Sequence, residues 1–289
     1  MAPAALTLDR LNALPRNDFV AALANVFERG HWVAEAVAAA RPFATVAALH
    51  DAMMTAVRAA ARAAQLGFIR SHPELGSRVA RAELTEDSLA EQGSLGLDRL
   101  SDEEFSRFER LNAAYGRKFG FPFIICVRRH TRDSILRQFE RRLANDAAAE
   151  LKTALDEIGL ITRLRLNAKV DGPGKTRTEG RLSTHVLDIA QGRPARGVRI
   201  ALYEIGASAR GLLREAVTNH DGRTDAPLIA GEPLRIGSYE LQFDIGDYSG
   251  GGQTFLTVVP VRFAIAEPEG HYHVPLIVTP WSYTTYRGS

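Results

Sequence analysis

Along the first half of the chain the apolar positions recur at helical spacing. In LHDAMMTAVRAAARAAQL, Leu49, Met53, Val57, Ala60 and Ala64 fall on one face of a single predicted helix. In SDEEFSRFERLNAAYGRKFG, Phe105, Phe108, Leu111, Tyr115 and Phe119 do the same. Ser101 followed by Glu104 has capping-box spacing, and Gly120 with Pro122 marks the end of that helix. A third helix is predicted through AAAELKTALDEIGLI, where Leu151, Leu155 and Ile158 recur at i, i+4 and i+7. No hairpin pattern occurs before about Asn167.

AKVDGPGKTRTEG then brings glycine, proline and charge without apolar periodicity, the composition of a linker. Beyond it the period changes. THVLDIA, VRIALYEI, SYELQFDI, VRFAIA and YHVPLIV are short, rich in branched and aromatic residues, and separated by turn sequences such as QGRPARG, NHDGRTD and GDYSGGG. That is the pattern of a β-sandwich or barrel. The expected fold class is therefore a multidomain α and β chain. An all-α helical bundle domain occupies residues 1–167, a linker 168–180, and an all-β domain 181–289.

Composition narrows the function classes. The 289 residues suit two domains. A net charge of +2, from 36 basic and 34 acidic residues, argues against a nucleic-acid partner. The one cysteine, Cys126, cannot form a disulfide within the chain, so the fold rests on packing. MAPAALTLDRLNALP has no apolar signal core, and no run reaches the roughly 18 apolar residues of a membrane span. The expectation is a cytoplasmic protein without membrane association.

In the β half, His271 and His273 lie two apart, so on a strand both face the same way. If His271–Val278 pairs with the strand LSTHVLD, His185 joins them, and two histidines can serve as base and acid near neutral pH. Arg223, in the turn sequence NHDGRTD, can orient an anion or polarise a carbonyl. The same residue types also suit a His-x-His metal pair with His185 as third ligand, or plain hydrogen-bonded strand histidines and a solvated arginine. In the α half, Pro73 disfavours helix continuation through His72, which sets that histidine at a helix end. Ser88 and Glu91 share a helix face, and GFPFIICVRR runs apolar beside a glycine and a proline. Taken singly, each of these is more readily a loop, a solvated face or core.

Together the β-half segments LSTHVLDIAQGRPARGV, NHDGRTDAPL, GSYELQFDIGDY and HYHVPLIVTPWSYTTYRGS resemble the 5-hydroxyisourate hydrolases, the enzyme branch of the transthyretin fold. The resemblance implies a transthyretin-like sandwich that acts without metal or cofactor. Its site would comprise His185, Arg223, His273, Tyr286, Arg287, Gly288 and Ser289, with His271 a less certain partner. The α-half segments FERGHWVAEAVAAARPF, SHPELG, SLAEQGSLGL, LNAAYGRKFGFPFIICVR and EIGLITRLRL resemble the 2-oxo-4-hydroxy-4-carboxy-5-ureidoimidazoline (OHCU) decarboxylases. That likeness implies His72 as proton donor, oriented and kept protonated by Glu91. Substrate binding would fall to Pro73, Ser88, Gln92, the Phe123, Ile124, Ile125, Cys126 and Val127 segment, and Arg163, with Arg165 as its rival.

The two implied reactions are consecutive: hydroxyisourate is opened to OHCU, which is decarboxylated to S-allantoin. The implied partners are these small molecules. The implied assembly is a homotetramer through the β domain, with dimer contacts through the α domain as a further expectation. Two alternatives are a non-catalytic transthyretin-like carrier and a His-x-His metallohydrolase.

Overall fold

The capping box at Ser101 forms as its spacing requires: Ser101 Oγ accepts the Glu104 N–H and the Glu104 carboxylate accepts the Ser101 N–H. It opens the helix Asp102–Phe119, which closes at Gly120 with φ of 72°. The computed structural model describes residues 6–76, 86–93, 95–96, 100–207, 210–249 and 255–288. The chain falls into two compact units, Met1–Arg128 with Ile135–Arg177, and Arg129–Ser134 with Thr178–Ser289.

The first half is helical, with Val46–Ala59, Arg62–Arg70, Glu86–Gly93, Asp102–Phe119, Arg132–Arg142 and Ala147–Lys169 as its main helices. Three details differ from the sequence expectation. The helix read through LHDAMMTAVRAAARAAQL is two helices, broken where Ala60 and Ala61 turn extended. The break is stabilised from the second helix, since the Gln65 amide donates to the Val57 and Arg58 carbonyls at 3.2 and 2.8 Å. The last helix runs to Lys169, well past Ile161, and carries Thr162 and Arg165 with it. Finally, Leu6–Thr7 pairs in parallel with Val170–Asp171, a two-residue ladder that ties the beginning of this half to its end. Part of the stretch read as linker is thus packed. Gly172 and Gly174 lie so close to Leu8 and Thr45 that a Cβ would stand 2.8 and 2.7 Å from their Cβ atoms.

A buried ion pair organises the middle of the helical unit. Arg142 and Glu150 are 1% and 0% exposed, and the guanidinium donates to Glu150 Oε1 at 2.6 and 2.8 Å. Tyr115 also donates to Glu150, and Arg142 lies over the Phe123 ring. A third arginine N–H donates to the Ile124 carbonyl at 2.7 Å. The pair therefore fixes the path of the extended segment after Phe121, while Phe123 stacks on Phe139.

The second unit is a sandwich. One sheet has four antiparallel strands, in the order Val258–Ile265, Gly237–Asp244, Arg199–Ile205, Arg210–Val217. Opposite it, Arg181–Ser183 and Val186–Asp188 pair in parallel with His271–His273 and Leu276–Val278. Alternate residues of both sheets, among them Leu182, Val186, Leu202, Leu241, Phe243, Tyr272 and Leu276, fill one core. The strand Arg210–Val217 and the edge strand Tyr283–Thr285 were not foreseen; both are almost wholly exposed and so lack apolar alternation. A short helix, Ile245–Tyr248, follows Asp244, whose carboxylate caps it.

The buried pair predicts a large asymmetry on mutation. Arg142→Met leaves Glu150 charged and unmatched, at a cost of about 3–5 kcal/mol. Chemical denaturation followed by the helical circular dichroism signal will show this as a loss of helical stability.

Candidate active sites

In the helical unit the functional side chains come from the end of Arg62–Arg70, from the helices Glu86–Gly93 and Ala147–Lys169, from the turn that holds Glu28, and from one extended segment. His72 follows the helix Arg62–Arg70, with its main-chain N–H on the Ile69 carbonyl. Its Nδ1 lies 3.0 Å from the Phe68 carbonyl. A carbonyl only accepts, so Nδ1 carries the proton, and a neutral ring then presents a bare Nε2. Burial pushes the His72 pKa down and Arg165 adds to this, against the Phe68 carbonyl and Glu28, which favour the cation. Neutral His72 is therefore a proton acceptor first. The Phe68 carbonyl fixes its ring, while the Glu91 carboxylate is engaged with Arg165.

Arg165 is the hub of the pocket. It donates to both Glu91 oxygens at 2.9 and 2.8 Å, to Glu28 Oε2 at 3.1 Å and to Ser88 Oγ at 3.0 Å. Ser88 in turn donates to Glu28 at 2.9 Å. Burial opposes the arginine's charge, but the hydrogen bonds and charges of Glu91 and Glu28 outweigh it, and its pKa rises. These groups, with His72, Pro73, Phe123, Ile124, Ile125 and Val127, line a cavity of about 60 Å³, several times the room one water needs.

The two candidate arginines are placed differently. Ile158, Ile161, Thr162 and Arg165 line the cavity at i, i+3, i+4 and i+7 of one helix. Arg163 is about 200° around that helix from Arg165. It does not line the cavity and instead helps to lower the pKa of buried His50 to about 4, after burial itself. Cys126 also does not line the cavity; its thiol is buried and its N–H donates to Glu157 at 2.8 Å. With the Ile124 carbonyl held by Arg142, the next residue, Ile125, has no hydrogen bond to its N–H or carbonyl among the described residues. Gln92 lies in the helix Glu86–Gly93, and its side chain is outside the described residues. Sequence reasoning missed Glu28; its signal was an acidic residue in the segment FERGHWV, facing inward where a carboxylate requires a cation.

In the β unit the parallel pairing sets Ser183 beside His273 and His271 beside Arg181. Pro275 interrupts the strand, and the main chain resumes with the Leu276 N–H on the His185 carbonyl. His185 Nδ1 and His273 Nε2 stand 2.6 Å apart, with the rings stacked at 4.8 Å. They share one proton. Ser183 Oγ is 2.9 Å from His273 Nδ1 and 3.0 Å from His271 Nε2. Ser183 was not anticipated, although it alternates with His185 just as His271 does with His273.

Arg223 is brought to His185 by a β-bridge. The turn before it closes through Gly222, at φ of 67°, where a Cβ would lie 2.3 Å from the Val186 carbonyl oxygen. The Arg223 side chain is exposed and makes no hydrogen bond within the chain among the described residues. Burial, and then the Arg223 charge, lower the His185 pKa. Burial, His185, Arg223 and His271 together push His273 down to about 4. Gly288 bridges His273, its N–H donating to the His273 carbonyl at 2.8 Å, and a Cβ there would stand 2.6 Å from the ring. Arg287 lies over the Tyr272 ring. Tyr286 is exposed, and Ser289 falls outside the described residues. Among the described residues no group of three His, Cys, Asp or Glu side chains is placed to hold a metal ion.

Comparison with known proteins matches residues 12–167 to "OHCU decarboxylase" and residues 182–288 to "HIUase/Transthyretin family". A 2-oxo-4-hydroxy-4-carboxy-5-ureidoimidazoline decarboxylase of Haloferax volcanii is 43% identical over 161 residues, 56% of this chain and 94% of that protein. A 5-hydroxyisourate hydrolase of Deinococcus radiodurans is 54% identical over 113 residues, 37% of this chain and 95% of that protein. A crystal structure of (S)-allantoin synthase is 34% identical and superposes with a TM-score of 0.52, covering 98% of this chain and 100% of its own.

The electrostatics of the histidine pair can be tested directly. By histidine NMR, His273 is expected to titrate near pH 4, far below the ordinary 6.5. Because the Arg223 charge disfavours the imidazolium, Arg223→Gln should raise that midpoint.

Proposed function

This chain belongs to two families, the OHCU decarboxylases through its first half and the HIUase/transthyretin family through its second, and from that premise we propose that it catalyses consecutive steps of urate degradation. It hydrolyses 5-hydroxyisourate to OHCU and decarboxylates OHCU to S-allantoin. The observation that carries the reading is that each matched span encloses its own cluster of ionisable side chains, one around Arg165 and one around His273. The proposed division is residues 1–167 for the decarboxylase, 168–180 for the connection and 181–289 for the hydrolase; the matched spans support it.

In the β site the His185–His273 pair takes a proton from water, and the water oxygen attacks an activated ring carbonyl. Both rings are held neutral by burial and by Arg223, so a free nitrogen is available as base at neutral pH. Arg223 stabilises the oxyanion that develops. Arg287 and Gly288 close the site from the chain's last segment, and Ser289 is assigned with them on the family resemblance.

In the α site the substrate's ring carbon carries both a hydroxyl and a carboxylate. Loss of carbon dioxide leaves its bonding electrons delocalised over the ring, where hydrogen-bond donors stabilise the charge without a cofactor. His72 Nε2 accepts the proton of the ring hydroxyl, which becomes a carbonyl, and delivers that proton to the neighbouring ring carbon on a single face, which sets the configuration. The ring nitrogen left with the bonding electrons takes one further proton from solvent, because the carboxylate departs as neutral carbon dioxide. Arg165 and Ser88 grip the anionic group, and the Ile125 main chain meets the ring or ureido amides. Arg165 takes the role first assigned to Arg163, supported by its place in the cavity. Gln92 and Pro73 complete the proposed binding set.

For assembly we propose a tetramer through the β unit. The exposed apolar residues of that unit, including Leu212, Leu213, Val258 and Trp281, support this, and solution mass by light scattering tests it. The described residues contain no helix long and apolar enough to cross a membrane.

Two variant pairs test the catalytic assignment. On freshly generated hydroxyisourate, His273→Ala should leave the substrate to decay at its spontaneous rate, while His72→Ala should open it and accumulate OHCU. The reverse pattern, or none, would contradict the assignment. Arg165→Gln should slow decarboxylation by about a hundredfold or more, whereas Arg163→Gln should stay within about threefold of wild type. Full activity of the hydrolytic step after exhaustive chelation would set aside the metallohydrolase reading, and turnover itself would set aside the carrier.

A further inference from the structure

We propose that Ser183 and His271 form a proton relay linking the His185–His273 pair to solvent. The proposal rests on the hydrolase reading above, and neither residue was assigned a role in it.

The geometry is a continuous chain of three hydrogen bonds. His185 Nδ1 meets His273 Nε2 at 2.6 Å, His273 Nδ1 meets Ser183 Oγ at 2.9 Å, and Ser183 Oγ meets His271 Nε2 at 3.0 Å. A hydroxyl can accept from one ring while donating to the next. His185 is half-buried and His273 9% exposed; from His273 outward burial falls, through half-buried Ser183 to His271, which stands in solvent. The strand register enforces the order, because Ser183 is the direct partner of His273 and the alternation of His271 with His273 brings both rings to one face.

The relay answers a need that the inner pair creates. A proton left on His273 is a charge largely out of water, one on half-buried His185 is a charge beside Arg223, and both rings already resist protonation. As the remaining nitrogen of His185 takes a proton from the attacking water, the Nδ1 proton passes to His273 Nε2. The His273 Nδ1 proton then passes to Ser183, and the Ser183 hydroxyl proton passes to His271 Nε2. The imidazolium forms at His271, where water solvates it. Meanwhile the water oxygen bonds to the ring carbon. When the ring C–N bond breaks, its electron pair stays on nitrogen, which takes the proton back as the transfers reverse. One water is added, and the protein returns to its starting state. Ser183 and His271 do not touch the substrate in this scheme; they position and move a proton.

The test is steady-state hydrolysis of hydroxyisourate by the full chain as wild type, Ser183→Ala, His271→Gln and the double variant, each with and without imidazole in the buffer. The relay predicts a kcat about tenfold to a hundredfold lower in each variant, with KM within about twofold. The double variant should be no slower than Ser183→Ala, because both changes cut one wire. Imidazole should restore His271→Gln and leave wild type unaffected. His271 is exposed, so its variant reports on the relay even if Ser183→Ala disturbs the strand. Wild-type kcat in His271→Gln, a loss confined to KM, or a loss that imidazole does not relieve would overturn the relay and leave the hydrolase reading in place. A wild-type chain without hydroxyisourate turnover would overturn both.

Discussion

A charge removed from water has to meet an opposite charge or a hydrogen bond, and both candidate sites are built around that requirement. Arg165 is the clearest case. Buried to 6% exposure, it is kept cationic by two carboxylates drawn from distant parts of the chain, Glu28 and Glu91. Once these three are fixed against one another, the cavity has a defined wall of charge facing His72. Arg142 and Glu150 repeat the arrangement, and their pairing holds the Phe123–Val127 segment through the Ile124 carbonyl. The β site applies the same rule in the other direction. Its histidines have no buried anion among the groups that set their charge state, so burial and Arg223 keep them neutral and basic.

Backbone pairing does the remaining work in the β unit. Arg181–Ser183, which opens that unit, runs parallel with His271–His273, which joins residues some ninety positions apart into one polar row. Glycine is required at two points of approach. At Gly222 the turn presses on the Val186 carbonyl, and at Gly288 the last segment presses on the His273 ring. In both places a side chain would push apart the groups that the site holds together.

Much of this was legible in the sequence where periodicity is set by a half-buried face. The change from a period near 3.6 to a period near 2 located the two halves, and the expected pairing of the strand after His271 with LSTHVLD is the pairing that sets His185 within hydrogen-bond distance of His273. What was not legible arises from long-range partners. Nothing local marks the break at Ala60 and Ala61, because the groups that cap it belong to Gln65 in the next helix. Arg210–Val217 has no buried face, and so it has no pattern to read. Glu28 meets Arg165 across 137 positions, and Ser183 reads as an ordinary polar strand residue until His273 is set beside it. Arg163 and Arg165 lie two apart on one helix, and the spacing from Ile158 through Ile161 and Thr162 puts Arg165, not Arg163, on the face that lines the cavity.

The two sites belong to reactions in which the product of one is the substrate of the other, and each lies in its own unit of the chain. The most direct measurement is the circular dichroism of the product formed from freshly generated hydroxyisourate by the full-length protein. Optically active S-allantoin, formed well ahead of the spontaneous reaction, is the expected product. Racemic allantoin appearing at the spontaneous rate would contradict it.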